Sequence, residues 1–344
     1  MANLATQYMG LDLKNPIIVG SSGLMDSLAQ IRDAEKFGAA AVVLKSIFEE
    51  QIHFETSRFI ERENEMMAPF RRGFDELMNR HEFDYAEAKD YITNYAREHT
   101  LTSYLKFISD VKAAVKIPVI ASINCVSSYD WHYFARRIEG AGADAIELNI
   151  YVLPSNPART SEENEKTYFS IVEQVLKQVR VPVSVKVSYY FSSLSKTLIQ
   201  LSNTGIKGLV MFNRPFHPDI DINEMRMTSK FIYSDSAEYS HTLRWMAILS
   251  GRVHCDLVAS TGIHDHEAVI KQILAGATAV QMVSAFYKYG FEHLGKVIRG
   301  LEGWMNLHGY KELSDFRGMM SQKQLDNPAA YERVQFMKLY SRIV

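Results

Sequence analysis

A recurring Gly-Ala pair, set directly before a short β-rich run, constrains this chain more than any other feature. Gly38-Ala39, Gly142-Ala143 and Gly276-Ala277 share this setting, with Lys45, Asn149 and Val283 seven residues after the glycine. Gly205, before the sixth run, is a looser version. Such a glycine ends the preceding helix in a left-handed conformation that other residues resist, so the next strand can start at once. Between these units stand Asn15-Pro16-Ile17-Ile18, Ile117-Pro118-Val119-Ile120 and Val181-Pro182-Val183-Ser184. Proline suits a strand entrance because it cannot donate to an interior ladder.

Eight β-rich runs alternate with helical patterns: Ile17 to Val19, Ala41 to Lys45, Val119 to Ile123, Ala145 to Asn149, Val183 to Val187, Leu209 to Asn213, Asp256 to Ser260 and Ala279 to Val283. Alternation of this kind builds parallel βαβ units. Eight repeated units predict an α/β chain closed as a (β/α)8 TIM barrel, and disfavour an open doubly wound sheet. The chain has 344 residues, and a barrel of this type typically takes about 250. Two long connections account for much of the excess: residues 47–101 after strand two and 214–240 after strand six. Connections at that end of a barrel can cover a site, so both are predicted to be lids. The first is charged and helix-rich from Phe74 onward; the second contains Pro215 and Pro218 and reads as a hairpin or a loop. From Phe291 to Gly309, Leu294, Ile298, Leu301 and Met305 recur at helical spacing, which predicts the closing helix. The expected organisation is one barrel domain over residues 1–310, with a tail, 311–344, that packs on the barrel or on a second subunit of a homodimer.

Lysine plus arginine number 38 against 40 acids, a net charge of −2, so no overall basic field would draw nucleic acid. The two cysteines, Cys125 and Cys255, are too few for a disulfide framework or an iron–sulfur cluster, which fits a reducing cytoplasm. Apolar runs such as Ala39 to Leu44 are far shorter than the roughly 20 residues that span a bilayer, so no membrane partner is expected.

In a barrel the strand C-termini converge on one mouth. Gathered there are Ser21, Ser22 and Gly23; Lys45 and Ser46; Asn124; Asn149; Lys186; Asn213; Ser260, Thr261 and Gly262; and Ser284. This set is rich in donors and lacks clustered carboxylates. It suits a ligand with carbonyl oxygens, ring nitrogens and phosphate better than a divalent metal. Small residues after strands seven and eight occupy the usual barrel phosphate site, which implies a phosphorylated cofactor. His264 and His266 could ligate a metal, but with Asp265 and Glu267 they read as a polar helix start, and no metal is expected. Arg71-Arg72 reads as a solvated lid face and Met66-Met67 as packing.

In their order and spacing these residues resemble the dihydroorotate dehydrogenase family of FMN-containing barrels. The likeness runs from Asn15-Pro16 to Gly309-Tyr310 and rests on Ser21-Ser22-Gly23, Lys45-Ser46, Glu147-Leu148-Asn149, Val185-Lys186, Ser260-Thr261-Gly262-Ile263, and Leu274 through Met282 followed by Ser284-Ala285. The resemblance implies a soluble oxidoreductase that transfers a hydride from dihydroorotate, or a related cyclic substrate, to flavin N5. By the same likeness Ser22, Gly23, Lys45 and Ser46 line the flavin, and Lys186 stabilises its reduced, negatively charged form. Asn149 and Asn213 bind flavin and a planar carboxylated pyrimidine. Lys45 also reaches the substrate, and Asn64 belongs to the substrate loop.

The chain departs from the family pattern at three places. A catalytic Cys or Ser is expected three residues after the first asparagine of strand four, where this sequence reads Asn149-Ile150-Tyr151-Val152-Leu153-Pro154. Tyr151, Ser155 and Cys125 are the alternative candidates for the base. The substrate loop, Asn64-Glu65-Met66-Met67-Ala68-Pro69-Phe70, keeps the first asparagine and the proline only. Thr261 and Val283 stand where the family has glycines of the phosphate cradle. Two other readings accompany the oxidoreductase. One is a Schiff-base lyase or aldolase using Lys45 or Lys186, and the other a flavin-binding protein without turnover.

Overall fold

The computed structural model of the chain describes residues 2–48, 101–124, 131–215, 217–230 and 233–332. An antiparallel hairpin, β1 (Thr6–Tyr8) and β2 (Leu11–Leu13), precedes the barrel. The following strands are β3 (Ile17–Val19), β4 (Ala41–Val43), β5 (Ile47–Phe48), β6 (Val119–Asn124), β7 (Ala145–Asn149), β8 (Val183–Val187) and β9 (Gly208–Met211). A second antiparallel hairpin, β10 (His217–Asp221) and β11 (Arg226–Lys230), leads on to β12 (Asp256–Ser260) and β13 (Ala279–Met282). Among the described residues β3, β4, β6, β7, β8, β9, β12 and β13 pair in parallel in that order. The ring closes where β13 pairs with β3, so the fold is the expected (β/α)8 barrel. The short β5 pairs with β6 beyond the end of β4.

The strands are buried along nearly their whole length, as parallel strands covered on both faces must be. Their outward residues pack under the helices, which include 101–114, Ser161–Leu176, His266–Ala275 and Glu292–His308. The helix His266–Ala275 stops at Gly276, whose φ of +123° lets its N–H reach the carbonyls of Gln272 and Ile273. The other two repeat glycines, Gly38 and Gly142, have φ of +111° and +95°. The closing helix ends at Gly309 in the left-handed conformation, with φ of +76°.

The inward residues form a separate apolar cluster at the strand starts: Ile18, Ala41, Val43, Ile120, Ala145, Val210, Val258 and Ala279, joined by Tyr8, Met9 and Leu13 of the hairpin. The β1–β2 hairpin therefore plugs the bottom of the barrel. Tyr8 is fully buried against Gly208, where an added Cβ would lie 2.7 Å from the phenol oxygen. The Met9 N–H donates to Asp256 Oδ2 at 2.7 Å and ties the plug to β12.

Three strands end earlier than their sequence patterns, leaving Lys45, Asn213 and Val283 beyond the strand ends. The connection after β9 contains the β10–β11 hairpin, resolving the choice between hairpin and loop. Of the first long connection, residues 49–100 lie outside the described residues, including the helical stretch predicted from Phe74, Arg71-Arg72 and Met66-Met67. Of the tail, 311–332 is described and packs on the barrel: Phe316 is fully buried, and the N–H groups of Gly318 and Met320 donate to Ile273 and Leu274. No helix among the described residues is long and apolar enough to cross a membrane.

Truncating a fully buried aromatic side chain costs about 3–5 kcal/mol. Tyr8→Ala should therefore lower unfolding stability by about that amount. Denaturant titration by circular dichroism reads it, and a loss within experimental error would show that the plug is dispensable.

Candidate active site at the barrel mouth

At the C-terminal ends of the strands lies a cavity of about 330 Å³, within the range of small-ligand sites, about 300–1,000 Å³. Of the residues expected at the mouth, Ser21, Ser22, Gly23, Lys186, Asn213, Ser260, Thr261, Gly262, Val283 and Ser284 line it together. Ile263 and Gln281, from the motifs after β12 and on β13, also line it, as do Arg214, Tyr233, Ser234 and Tyr287, which the sequence patterns did not single out. Among the described lining residues the charged groups are Lys186 and Arg214, with no carboxylate. The cavity therefore favours an anionic ligand rich in acceptors.

Its floor is polar and buried. Lys186 Nζ donates to Gln281 Oε1 at 2.8 Å, and Gln281 Nε2 donates to Glu147 Oε2 at 2.5 Å. Glu147 Oε1 lies 3.9 Å from Lys186 Nζ. Burial lowers the pKa of Lys186 below the usual lysine value, and the charge of Glu147 opposes that fall. Burial likewise raises the pKa of Glu147, opposed by the Lys186 charge and the Gln281 hydrogen bond.

One wall is built from the turns after β12 and β13 and from the connection after β9. Thr261 adopts φ of +78°, a conformation usually left to glycine, and its hydroxyl donates to the Phe212 carbonyl at 3.0 Å. Gly262 has φ of +75° and lies so close to the helix Tyr239–Leu249 that an added Cβ would meet Tyr239 N at 2.1 Å. Ser234 is buried there: its N–H donates to Ser284 Oγ at 2.9 Å and its carbonyl accepts from Lys288 Nζ at 3.0 Å. Its hydroxyl pairs with His264 Nε2 at 3.0 Å. Burial, with help from Lys288, depresses the pKa of the His264 imidazole. Arg214 pairs with Glu238 through Nε at 2.9 Å and a second nitrogen at 3.3 Å. Tyr233 and Tyr287 stack at the rim with ring centroids 5.0 Å apart.

Other predicted residues fall outside this cavity. Lys45 is half-exposed, with Nζ 3.5 Å from Asp26 Oδ2, because β4 ends at Val43. Ser46 is buried behind the wall, its hydroxyl 3.2 Å from that of Ser21 and 2.7 Å from that of Ser122. Asn124 ends β6, and Asn149 ends β7 with its Oδ1 buried and without a donor among the described residues. Tyr151 packs edge-on against Tyr190 with ring centroids 6.1 Å apart, and burial raises its phenol pKa. Ser155 is exposed. Asn64 and Cys125 lie outside the described residues. Burial pushes the pKa of the Cys255 thiol up to about 12, which leaves it unreactive at neutral pH. The described residues include no group of three or more His, Cys, Asp or Glu suited to a metal. His266 instead opens the helix His266–Ala275, whose N-cap is Asp265.

Barrel and mouth together define a (β/α)8 fold with a cation-lined cavity at the C-terminal ends of its strands. A family model described as dihydroorotate dehydrogenase matches residues 3–305. Similar proteins include the dihydroorotate dehydrogenase B (NAD(+)) catalytic subunits of Thermoplasma acidophilum and Pyrococcus abyssi. The first is 25% identical over 325 residues, covering 93% of this chain and 99% of the relative. The second is 25% identical over 323 residues, covering 92% and 98%. The chain belongs to the dihydroorotate dehydrogenase family of flavin-dependent oxidoreductases.

A side chain at Gly262 would be strained both by its φ and by the backbone of Tyr239. Gly262→Ala should destabilise the fold by about 1–3 kcal/mol, read as a lower thermal midpoint. An unchanged midpoint would mean that the two turns can separate freely.

Proposed function

We propose that this chain binds FMN in the mouth cavity and oxidises dihydroorotate or a related cyclic, carboxylated substrate. The observation that carries this reading is a cavity with a buried lysine in its floor, no lining carboxylate among the described residues, and hydroxyl and glycine positions after β12 and β13. These groups fit the cofactor: beside the cavity, at the end of β7, Asn149 Oδ1, buried and without a hydrogen bond among the described residues, offers an acceptor for a ring N–H, and Lys186 and Arg214 in the lining supply positive charge for an anion. Bound FMN would supply the hydride acceptor, chemistry that no protein side chain provides.

The remaining roles fall to the chain. Thr261, Gly262, Val283 and Ser284 would hold the phosphate, while Ser21, Ser22, Gly23 and Ser260 line the remainder of the cofactor. Lys186 would offset the negative charge that reduction adds. Asn149 and Asn213 would hydrogen-bond cofactor and substrate, and Lys45 and, by the family resemblance, Asn64 would bind the substrate. Burial raises the Tyr151 phenol pKa further above neutrality, which disfavours it as the base relative to Ser155 and Cys125. For the electron acceptor, the names of the two relatives point to NAD(+) and to a catalytic subunit that works with another. The chain's two cysteines cannot ligate an iron–sulfur cluster, so a cluster-bearing partner would have to supply one.

A Schiff-base reading is favoured by one observation, the depressed pKa of Lys186, which an amine nucleophile needs. Against it, Lys186 Nζ is already held by Gln281 and Glu147. Borohydride should therefore trap no keto acid on Lys186.

The purified protein should show flavin absorption bands, and anaerobic dihydroorotate should bleach them. Folded protein that neither carries nor takes up FMN would remove this reading. Flavin reduced by dithionite but by no pyrimidine would point to binding without turnover. Lys186→Met should slow bleaching by roughly 10²–10³-fold, the loss expected when one preorganised charge-stabilising group is removed.

A further inference from the structure

The cavity floor is a chain of three side chains crossing the barrel lumen. Glu147 comes from β7, Lys186 from the neighbouring β8, and Gln281 from β13 on the far side of the ring. Lys186 and Gln281 line the cavity, whereas Glu147 is completely buried beneath it. The Gln281 amide has one orientation that serves both neighbours, with its NH₂ on the carboxylate and its oxygen on the ammonium. The second Glu147 oxygen, Oε1, is buried without a hydrogen bond, and the ammonium of Lys186 stands 3.9 Å from it.

The other ionisable groups near this floor are accounted for. Tyr8 of the β1–β2 hairpin lies close enough to feel the Glu147 charge, and burial keeps its phenol protonated. Asp256, at the start of β12 and partly exposed, accepts from the Met9 N–H and the Thr278 hydroxyl, with Arg317 nearby. Arg214 at the mouth is tied to Glu238. Among the described residues Glu147 is thus the charged partner of Lys186.

We propose that Glu147 is a positioning residue: directly and through Gln281 it keeps Lys186 an ammonium aimed into the cavity, although it touches no ligand itself. Without the Glu147 charge, burial of Lys186 goes unopposed and its proton leaves at lower pH. The consequence for flavin rests on the function proposed above; the effect on Lys186 does not.

The test uses the full chain labelled with ¹⁵N-lysine, free of cofactor, and follows the Lys186 Nζ signal against pH, assigned through its loss in Lys186→Met. In Glu147→Gln, which keeps the side-chain shape, the Lys186 midpoint should fall by at least one pH unit, a tenfold change in protonation equilibrium. A merely structural Glu147 would leave the midpoint where it is, and an unchanged or higher value overturns the proposal. If that variant fails to fold, Gln281→Leu gives the same reading: loss of the acceptor should lower the midpoint, and no shift overturns the relay. With FMN loaded, the flavin midpoint potential of Glu147→Gln should fall as pH rises through the new Lys186 midpoint, while the parent potential shows no such break. Failure of the parent to take up FMN would remove the cofactor assignment and leave the Lys186 titration standing as the test.

Discussion

Placing an ammonium and a carboxylate inside a barrel lumen costs several kcal/mol for each ion, and their attraction offsets this only when the geometry also satisfies their hydrogen bonds. Here the compensation is incomplete. Gln281 bridges the pair, but one Glu147 oxygen has no hydrogen bond, and the two charges stand 3.9 Å apart. A network of this kind weakens the fold where it lies, and the apolar end of the lumen supplies what it lacks. The apolar end of the lumen buries aliphatic side chains from seven of the eight ring strands, and the β1–β2 hairpin closes them off with Tyr8, Met9 and Leu13. The lumen is thus graded from an apolar base to a polar floor, with the mouth cavity directly above the polar end.

Much of this gradient is visible in the sequence, because parallel barrel strands write it in alternate residues. Ala145, Glu147 and Asn149 share one face of β7, and the series runs from apolar base to charged floor to open mouth. The Gly-Ala repeat and the prolines at strand entrances located the ring for the same reason: each marks a place where backbone conformation or a missing donor permits few alternatives. The β1–β2 hairpin was not legible, since two strands of three residues carry too little periodicity to register. Gln281 was hidden inside an apolar run. Its importance comes from neighbours 134 and 95 residues away, which no local pattern reports.

Lys45 shows the opposite failure. A lysine at the end of a β-rich run is expected at the mouth, but β4 stops at Val43 and residues 44–46 are irregular before β5. The side chain emerges half-exposed beside Asp26, and a surface pair of that kind contributes at most about 1 kcal/mol. Two residues of strand length separate a buried cation from a solvated one. That margin lies inside the uncertainty with which any strand end can be read from pattern.

The two substituted cradle positions differ in what they demand of the backbone. Val283 has a negative φ, −140°, so no left-handed conformation calls for glycine there. Its side chain instead occupies space vacated elsewhere: a Cβ on Gly20 would lie 2.9 Å from Val283 Cγ2. Thr261 does hold a left-handed conformation, at φ of +78°, and its hydroxyl bond to the Phe212 carbonyl offsets part of that strain while joining the turn after β12 to the end of β9. Both side chains line the cavity while each is also held against the barrel, Thr261 at Phe212 and Val283 at Gly20. The close approach itself is left to Gly262, where the helix Tyr239–Leu249 leaves no room for a side chain.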